Sequence, residues 1–238
     1  MPWPLFWLGA LMHGAMKRTL FKGLEQAMKE CADLHFVCTG GTLPGIDEEK
    51  YPRFCKMVEM SENRSRYHLL GWIEGEKIPS LLEECDIGLN ADILCAETET
   101  GARNRINEML RYKIPVISTE GSEIAEALRE YSAGIVCSSE NTKEFADALI
   151  LLTNNPNRRA FIKKQGEVLI KKRFSATITG TPLGAWLESP KRAPDAGKPV
   201  HLRSKISIMR AAIEYGKKRG LVSFTQKCTQ KIFRTLFG

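Results

Sequence analysis

The 238-residue chain has no Cys-x-x-Cys pair, no Gly-x-Gly-x-x-Gly, four histidines and no apolar run of bilayer length. Each absence excludes something. The cysteines, Cys31, Cys38, Cys55, Cys85, Cys95, Cys137 and Cys228, stand singly and are odd in number, which argues against a disulfide framework and predicts reduced thiols in a cytoplasmic protein. Scattered histidines without spaced Cys or His partners give no zinc-ligand pattern, so no metal site is expected. Without a run of roughly 18 apolar residues there is no candidate membrane helix. The N-terminal stretch MPWPLFWLGALMHGAM is apolar but lacks a Lys or Arg ahead of it, so it reads as the approach to a strand rather than an export signal. No internal repeat or low-complexity tract is present. The net charge of +7 is not spread over the chain: residues 201–238 hold nine Lys and Arg against Glu214 alone, a net +8, which leaves the first 200 at −1. A basic nucleic-acid surface on the main domain is therefore not expected.

What is present is enough apolar residue, 43%, for a real core, arranged as strands alternating with helices. Strands are expected at Pro4–Gly9, Leu34–Cys38, Tyr67–Leu70, Asp86–Asp92, Val116–Ser118 and Ala133–Cys137. Helices are expected at Lys17–Cys31, up to Ser61, at Lys77–Cys85, 102–112, Ser122–Tyr131 (with Ser122 as N-cap), Asn141–Leu152 and Pro156–Lys172. That alternation predicts an α/β fold of the Rossmann-like, doubly wound kind with a mostly parallel six-stranded sheet. Ligands of such sheets bind beyond the C-terminal strand ends, where loops at Gly9, Gly40, Gly71, Asn90, Gly101 and Gly121 would converge.

One stretch organises the rest. In ETETGARNRINEMLRYKIPVISTEG, residues 97–121, a polar loop ends at Gly101 and Ala102, Ile106, Met109 and Leu110 recur at helical spacing. Pro115 is expected to stop the helix before a buried β-branched strand. Arg103, Asn104, Arg105 and Glu108 crowd the first two turns. Unpaired N–H groups at a helix start favour an anion, and Arg103 and Arg105 are expected to strengthen that bias.

The run RINEML followed by KIPVI resembles the donor-site segment of GT-B glycosyltransferases of family 4, and the resemblance extends from about Leu5 to about Phe174. It implies the C-terminal, donor-binding half of such an enzyme, using a nucleotide-sugar such as a UDP- or GDP-sugar, without a metal and with no cofactor beyond the donor. It implies that Glu108 holds the ribose hydroxyls, that Arg105 meets the diphosphate, and that backbone groups after Gly71, with Trp72, face the base. Glu99 or Thr100 would orient the sugar. Gly9, Gly101 and Gly121 would lie along the donor. Two positions depart from the family pattern: Thr100 stands where a second Glu is common, and Lys113 where a Gly is usual two residues before the Pro.

Two functional readings follow. One is a hexosyltransferase-like enzyme whose acceptor is supplied by an N-terminal domain, here expected on a separate chain. The other is a non-catalytic module that binds a nucleotide-sugar or a partner. An epimerase or dehydrogenase on a similar sheet ranks last, because no conspicuous His or Lys acid/base stands in the central loops. The domain is expected to run over residues 1–188, followed by a Pro-rich linker at 189–200. Ile206, Met209 and Ile213, then Phe224, Cys228, Ile232 and Leu236, mark apolar stripes in a basic helical tail at 201–238, a pattern suited to an anionic membrane surface.

Overall fold

A computed structural model describes residues 5–7, 16–42, 48–194 and 196–197. The strands are β1 (Leu5–Trp7), β2 (Phe36–Cys38), β3 (Tyr67–Leu69), β4 (Ile87–Asn90), β5 (Val116–Thr119) and β6 (Gly134–Cys137). The helices are α1 (Met16–Glu30), α2 (Lys50–Glu59), α3 (Ile78–Glu83), α4 (Ala96–Thr100), α5 (Asn104–Arg111), α6 (Glu123–Glu130), α7 (Thr142–Asn154), α8 (Pro156–Leu169) and α9 (Ala176–Glu188). The strands form one sheet in the order β3-β2-β1-β4-β5-β6, with every neighbouring pair parallel. The chain winds outward from β1 to β3, then returns to lay β4 against β1. That reversal is the switch point at which doubly wound sheets open a ligand crevice.

Both faces are covered, which is why the strands read as continuous apolar runs. On one face Leu20, Leu24 and Met28 of α1 and Phe145 and Leu149 of α7 close over Phe36, Leu89 and Ile117. Gly23 permits the close approach: a Cβ there would stand 2.9 Å from Phe145 Cδ1. The other face is sealed by Ile106, Met109 and Leu110 of α5, Leu128 of α6 and Leu169 of α8 over Val37 and Val116. Each such aliphatic side chain contributes roughly 1.5–3 kcal/mol through burial.

Six parallel strands and the alternation are as expected; several local details differ. Residues 97–101 are not a plain loop, because Ala96–Thr100 forms the short α4. The helix before Pro115 is ended earlier by backbone bonds: Lys113 takes a left-handed φ of 58°, and Ile114 N–H donates to Met109 O at 2.9 Å. That is the Schellman pattern, so Pro115 merely follows a helix already closed. Ala176–Glu188 forms α9, a helix that no apolar periodicity marks and that has no buried face. Residues 170–174 continue α8 as a π-helical turn. Ser122 caps α6, its Oγ accepting from Ala125 N–H at 3.3 Å, and Asn141 caps α7 through Glu144 N–H at 3.1 Å. The glycine turn Gly9–Gly14 and the tail at 201–238 lie outside the described residues.

The chain forms two compact units, Met1–Gly184 and Ala185–Gly238. The first holds the sheet. In the second, the described residues comprise the end of α9 and a turn in which Trp186 Nε1 donates to Lys191 O at 2.9 Å. Among the described residues no helix is long and apolar enough to cross a membrane.

Candidate functional site

The C-terminal ends of β4 and β5 are tied by side chains. Asn90, fully buried, donates through Nδ2 to Ser118 Oγ at 3.0 Å and to Asp92 Oδ2 at 3.1 Å. Thr119 Oγ1 accepts from Asp92 N–H at 2.7 Å and donates to Asp92 O at 3.0 Å, and Ser139 Oγ donates to the same carbonyl at 3.2 Å. Asp92 is thereby held at the mouth of the switch point.

Arg103, at the N-cap position of α5, turns inward onto it. Its side chain is only 4% exposed. Nε donates to Asp92 Oδ2 at 2.6 Å, one terminal nitrogen to Glu97 Oε1 at 3.0 Å and to Gly101 O at 3.4 Å, and the other to Glu97 O at 3.3 Å. A guanidinium removed from water requires such a set of acceptors. Arg103 is therefore a strut that braces the α4 segment against β4, not the outward anion-attracting group expected from its place at a helix start. Gly101 is demanded by the same packing, since a Cβ there would lie 2.5 Å from Glu97 O.

The remaining candidates fall into separate groups. Arg105 and Glu108 share α5. Burial lowers the Arg105 pKa, with the Asp92 carboxylate opposing that shift. Glu108 is half-exposed, 3.9 Å from Arg111. Glu99, Thr100 and Gly101 line a cleft of about 190 Å³ together with Arg103, Asn107, Glu123 and Phe174, and neither Arg105 nor Glu108 lines it. Thr100 Oγ1 is engaged, donating to Ala96 O at 2.6 Å. Gly71 has φ +65°, and its carbonyl accepts from Gly40 N–H at 2.7 Å, joining the loops after β2 and β3. Trp72 is 63% exposed, its indole nitrogen 3.0 Å from where a Gly41 Cβ would be. Gly121, at φ +99°, lies beneath Leu94, whose Cδ2 would be 2.4 Å from an added Cβ. Gly9 is outside the described residues. Among the described residues no group of three or more His, Cys, Asp or Glu is arranged to hold a metal ion.

Sequence reasoning missed the Asp92–Arg103 pair, and Asn107, Glu123 and Phe174 as cleft residues. A signal for Arg103 was available: with Ile106 and Leu110 it makes the i, i+3, i+7 stripe of α5, and both partners on that stripe are buried.

The profile of glycosyl transferases group 1 matches residues 5–155. The chain belongs to that family. The match takes in all six strands and every candidate site residue except Phe174, and it stops just before α8. No curated protein matches by sequence. Solved structures give the same fold for this glycosyl transferases group 1 chain. HepE of Anabaena, in complex with UDP and glucose, superposes with a TM-score of 0.65 at 16% identity, over 78% of this chain and 48% of its own. TarM of S. aureus, in complex with fondaparinux, alpha-GlcNAc-glycerol and UDP, gives 0.62 at 17%, over 78% of this chain and 34% of its own. The C-terminal domain of LpcC, a glycosyl transferase group 1 family protein of Francisella tularensis, gives 0.59 at 20%, over 73% of this chain and 85% of its own. The chain thus spans less than half of TarM or HepE.

Proposed function

We propose that this chain is the donor-binding half of a glycosyltransferase that moves a sugar from a nucleotide-sugar to an acceptor held by a second domain. The observation that carries the reading is the placement of α5: its first turn starts at the switch-point edge of the sheet, immobilised by the buried Arg103–Asp92 pair, with Arg105 and Glu108 on the same helix. The N–H groups at that start and Arg105 would offset the charge of the departing diphosphate. Donors fixed in advance need no reorganisation as charge develops. Glu108 would accept from the ribose hydroxyls. Gly71 and Trp72 would face the base, and Glu99, with Thr100, would orient the sugar. Support also comes from the UDP named in the HepE and TarM structures, which share this fold.

The chemistry asked of these residues needs no metal or cofactor beyond the donor. The partners are a nucleotide-sugar, an acceptor domain, and an anionic membrane surface met by residues 201–238 on the cytoplasmic side. A second reading is a nucleotide-sugar-binding or partner-binding module without catalysis of its own.

Calorimetry with UDP, GDP, their sugar conjugates and NAD tests the reading. UDP or GDP should bind and NAD should not. Glu108→Ala should weaken binding by about 10-fold or more, since hydrogen bonds to a charged group contribute roughly 1.5–3 kcal/mol. Unchanged affinity in that variant would remove Glu108 from the site. Sugar transfer by the chain alone would refute the need for a second domain, and binding without transfer under any added acceptor domain would favour the module.

A further inference from the structure

The segment after the family match carries a surface that the sugar-transfer reading does not use. Residues 156–174, α8 and its π-helical continuation, hold Arg158, Arg159, Lys163, Lys164, Lys171, Lys172 and Arg173 against Glu167 alone. The inward side of α8 is settled by burial of Ile162, Gly166 and Leu169, and Phe161, Lys163, Lys164, Lys171 and Lys172 are exposed. The carboxylates nearest this face are already engaged: Glu167 with Lys113 at 2.7 Å, and Glu123 and Glu130 with Arg173 at 3.2 and 3.1 Å. The lysines therefore set the outward field.

The next helix is of opposite character. From Ser175 to Leu187 no side chain is ionisable, and α9 leaves apolar groups in water, Ile178 at 48% and Leu183 at 60% exposure. Phe161, 43% exposed, adds an aromatic on the basic face itself. At 13 residues α9 is about 20 Å long, too short to span a bilayer.

We infer that the exposed face of α8 and the start of α9 form a docking surface for anionic lipid, with Lys164, Lys171 and Lys172 meeting headgroups and Phe161, Ile178 and Leu183 entering the acyl boundary. Charge complementarity selects an anionic partner. The uncharged stretch with exposed Ile178 and Leu183 selects a lipid surface over a nucleic acid, because a polyanion offers exposed Ile and Leu side chains no apolar environment. Basic groups with shallow apolar burial are the two signals reversible attachment requires. This surface is distinct from the tail at 201–238 and does not depend on sugar transfer.

Flotation of the full chain on vesicles of phosphatidylcholine alone, and of phosphatidylcholine with phosphatidylglycerol, tests it. The chain should bind only the anionic vesicles and release in high salt. Replacing Lys164, Lys171 and Lys172 together by Gln should lower partitioning by about 100-fold, because each basic residue at an anionic surface contributes about 5-fold. Ile178→Ser with Leu183→Ser should also weaken binding, and both variants should keep the circular dichroism of the parent, since all five positions are exposed. The inference is overturned if the parent fails to bind anionic vesicles, or if the triple Gln variant floats as the parent does. It is equally overturned if the two Ser substitutions leave binding unchanged while the parent binds RNA as tightly as vesicles.

Discussion

Replacing Arg103 by Met separates a strut from a phosphate ligand. The side chain makes four hydrogen bonds to Asp92, Glu97 and Gly101 while only 4% exposed. Its loss leaves Asp92 Oδ2 with the Asn90 amide alone, in a site nearly closed to solvent. Removing one partner of a buried pair costs about 3–5 kcal/mol. Glu97 is half-exposed and regains water, so the lower end, about 3 kcal/mol, is expected here. For a chain of this size that is a fall in Tm of about 6–12 °C. Arg111→Met, which breaks only the exposed 3.9 Å contact with Glu108, should cost less than about 0.5 kcal/mol. Urea denaturation of the two variants, and of Asp92→Ala alone and combined with Arg103→Met, measures both costs and the coupling. A loss below about 1 kcal/mol for Arg103→Met would refute the strut. So would a variant of parental stability that no longer binds UDP, which would make Arg103 a ligand contact.

Three further outcomes are expected. Lys113→Gly should stabilise the chain by about 0.5–1 kcal/mol in equilibrium denaturation, because the left-handed φ of 58° disfavours a Cβ by about 1–2 kcal/mol, whereas the exposed Glu167 pair returns only about 0.3–0.5; a net loss would contradict this. Gly134→Ala should destabilise by about 1–3 kcal/mol, as its Cβ would stand 2.7 Å from the Val116 carbonyl oxygen, a backbone atom that cannot turn aside; a melting point equal to the parent's would refute the argument. His68 donates to or accepts from His35 at 3.0 Å, and burial, then the neighbouring His35, lowers its pKa below the ordinary 6.5. A group so lowered binds its proton more readily unfolded, so its contribution is complete above pH 6.5 and is lost as pH falls through the folded value. His68→Asn should flatten stability measured between pH 5 and 7, and an unchanged slope would exclude the pair as its source.

The sequence by itself determined whatever rests on near neighbours. Alternating apolar runs specified six parallel strands, and Ser122 and Asn141 marked helix starts that their side chains do cap. The pattern around Glu108 specified the family that the profile over residues 5–155 shows. α9 escaped because its apolar residues follow no one-sided period, and a helix with no buried face leaves no stripe to read. Only the tertiary structure decided what Arg103 does. Spacing put it on the buried stripe of α5, but its partner Asp92 belongs to the loop after a different strand, and the charge is tolerable there only because β4 and β5 bring that carboxylate within 2.6 Å. The same holds for Glu99 and Thr100 falling in a cleft apart from Arg105 and Glu108. Neighbours in sequence set which face of a helix is apolar, whereas the meeting of loops from separate strands sets which charges are paired, and that pairing is a long-range property of the sheet.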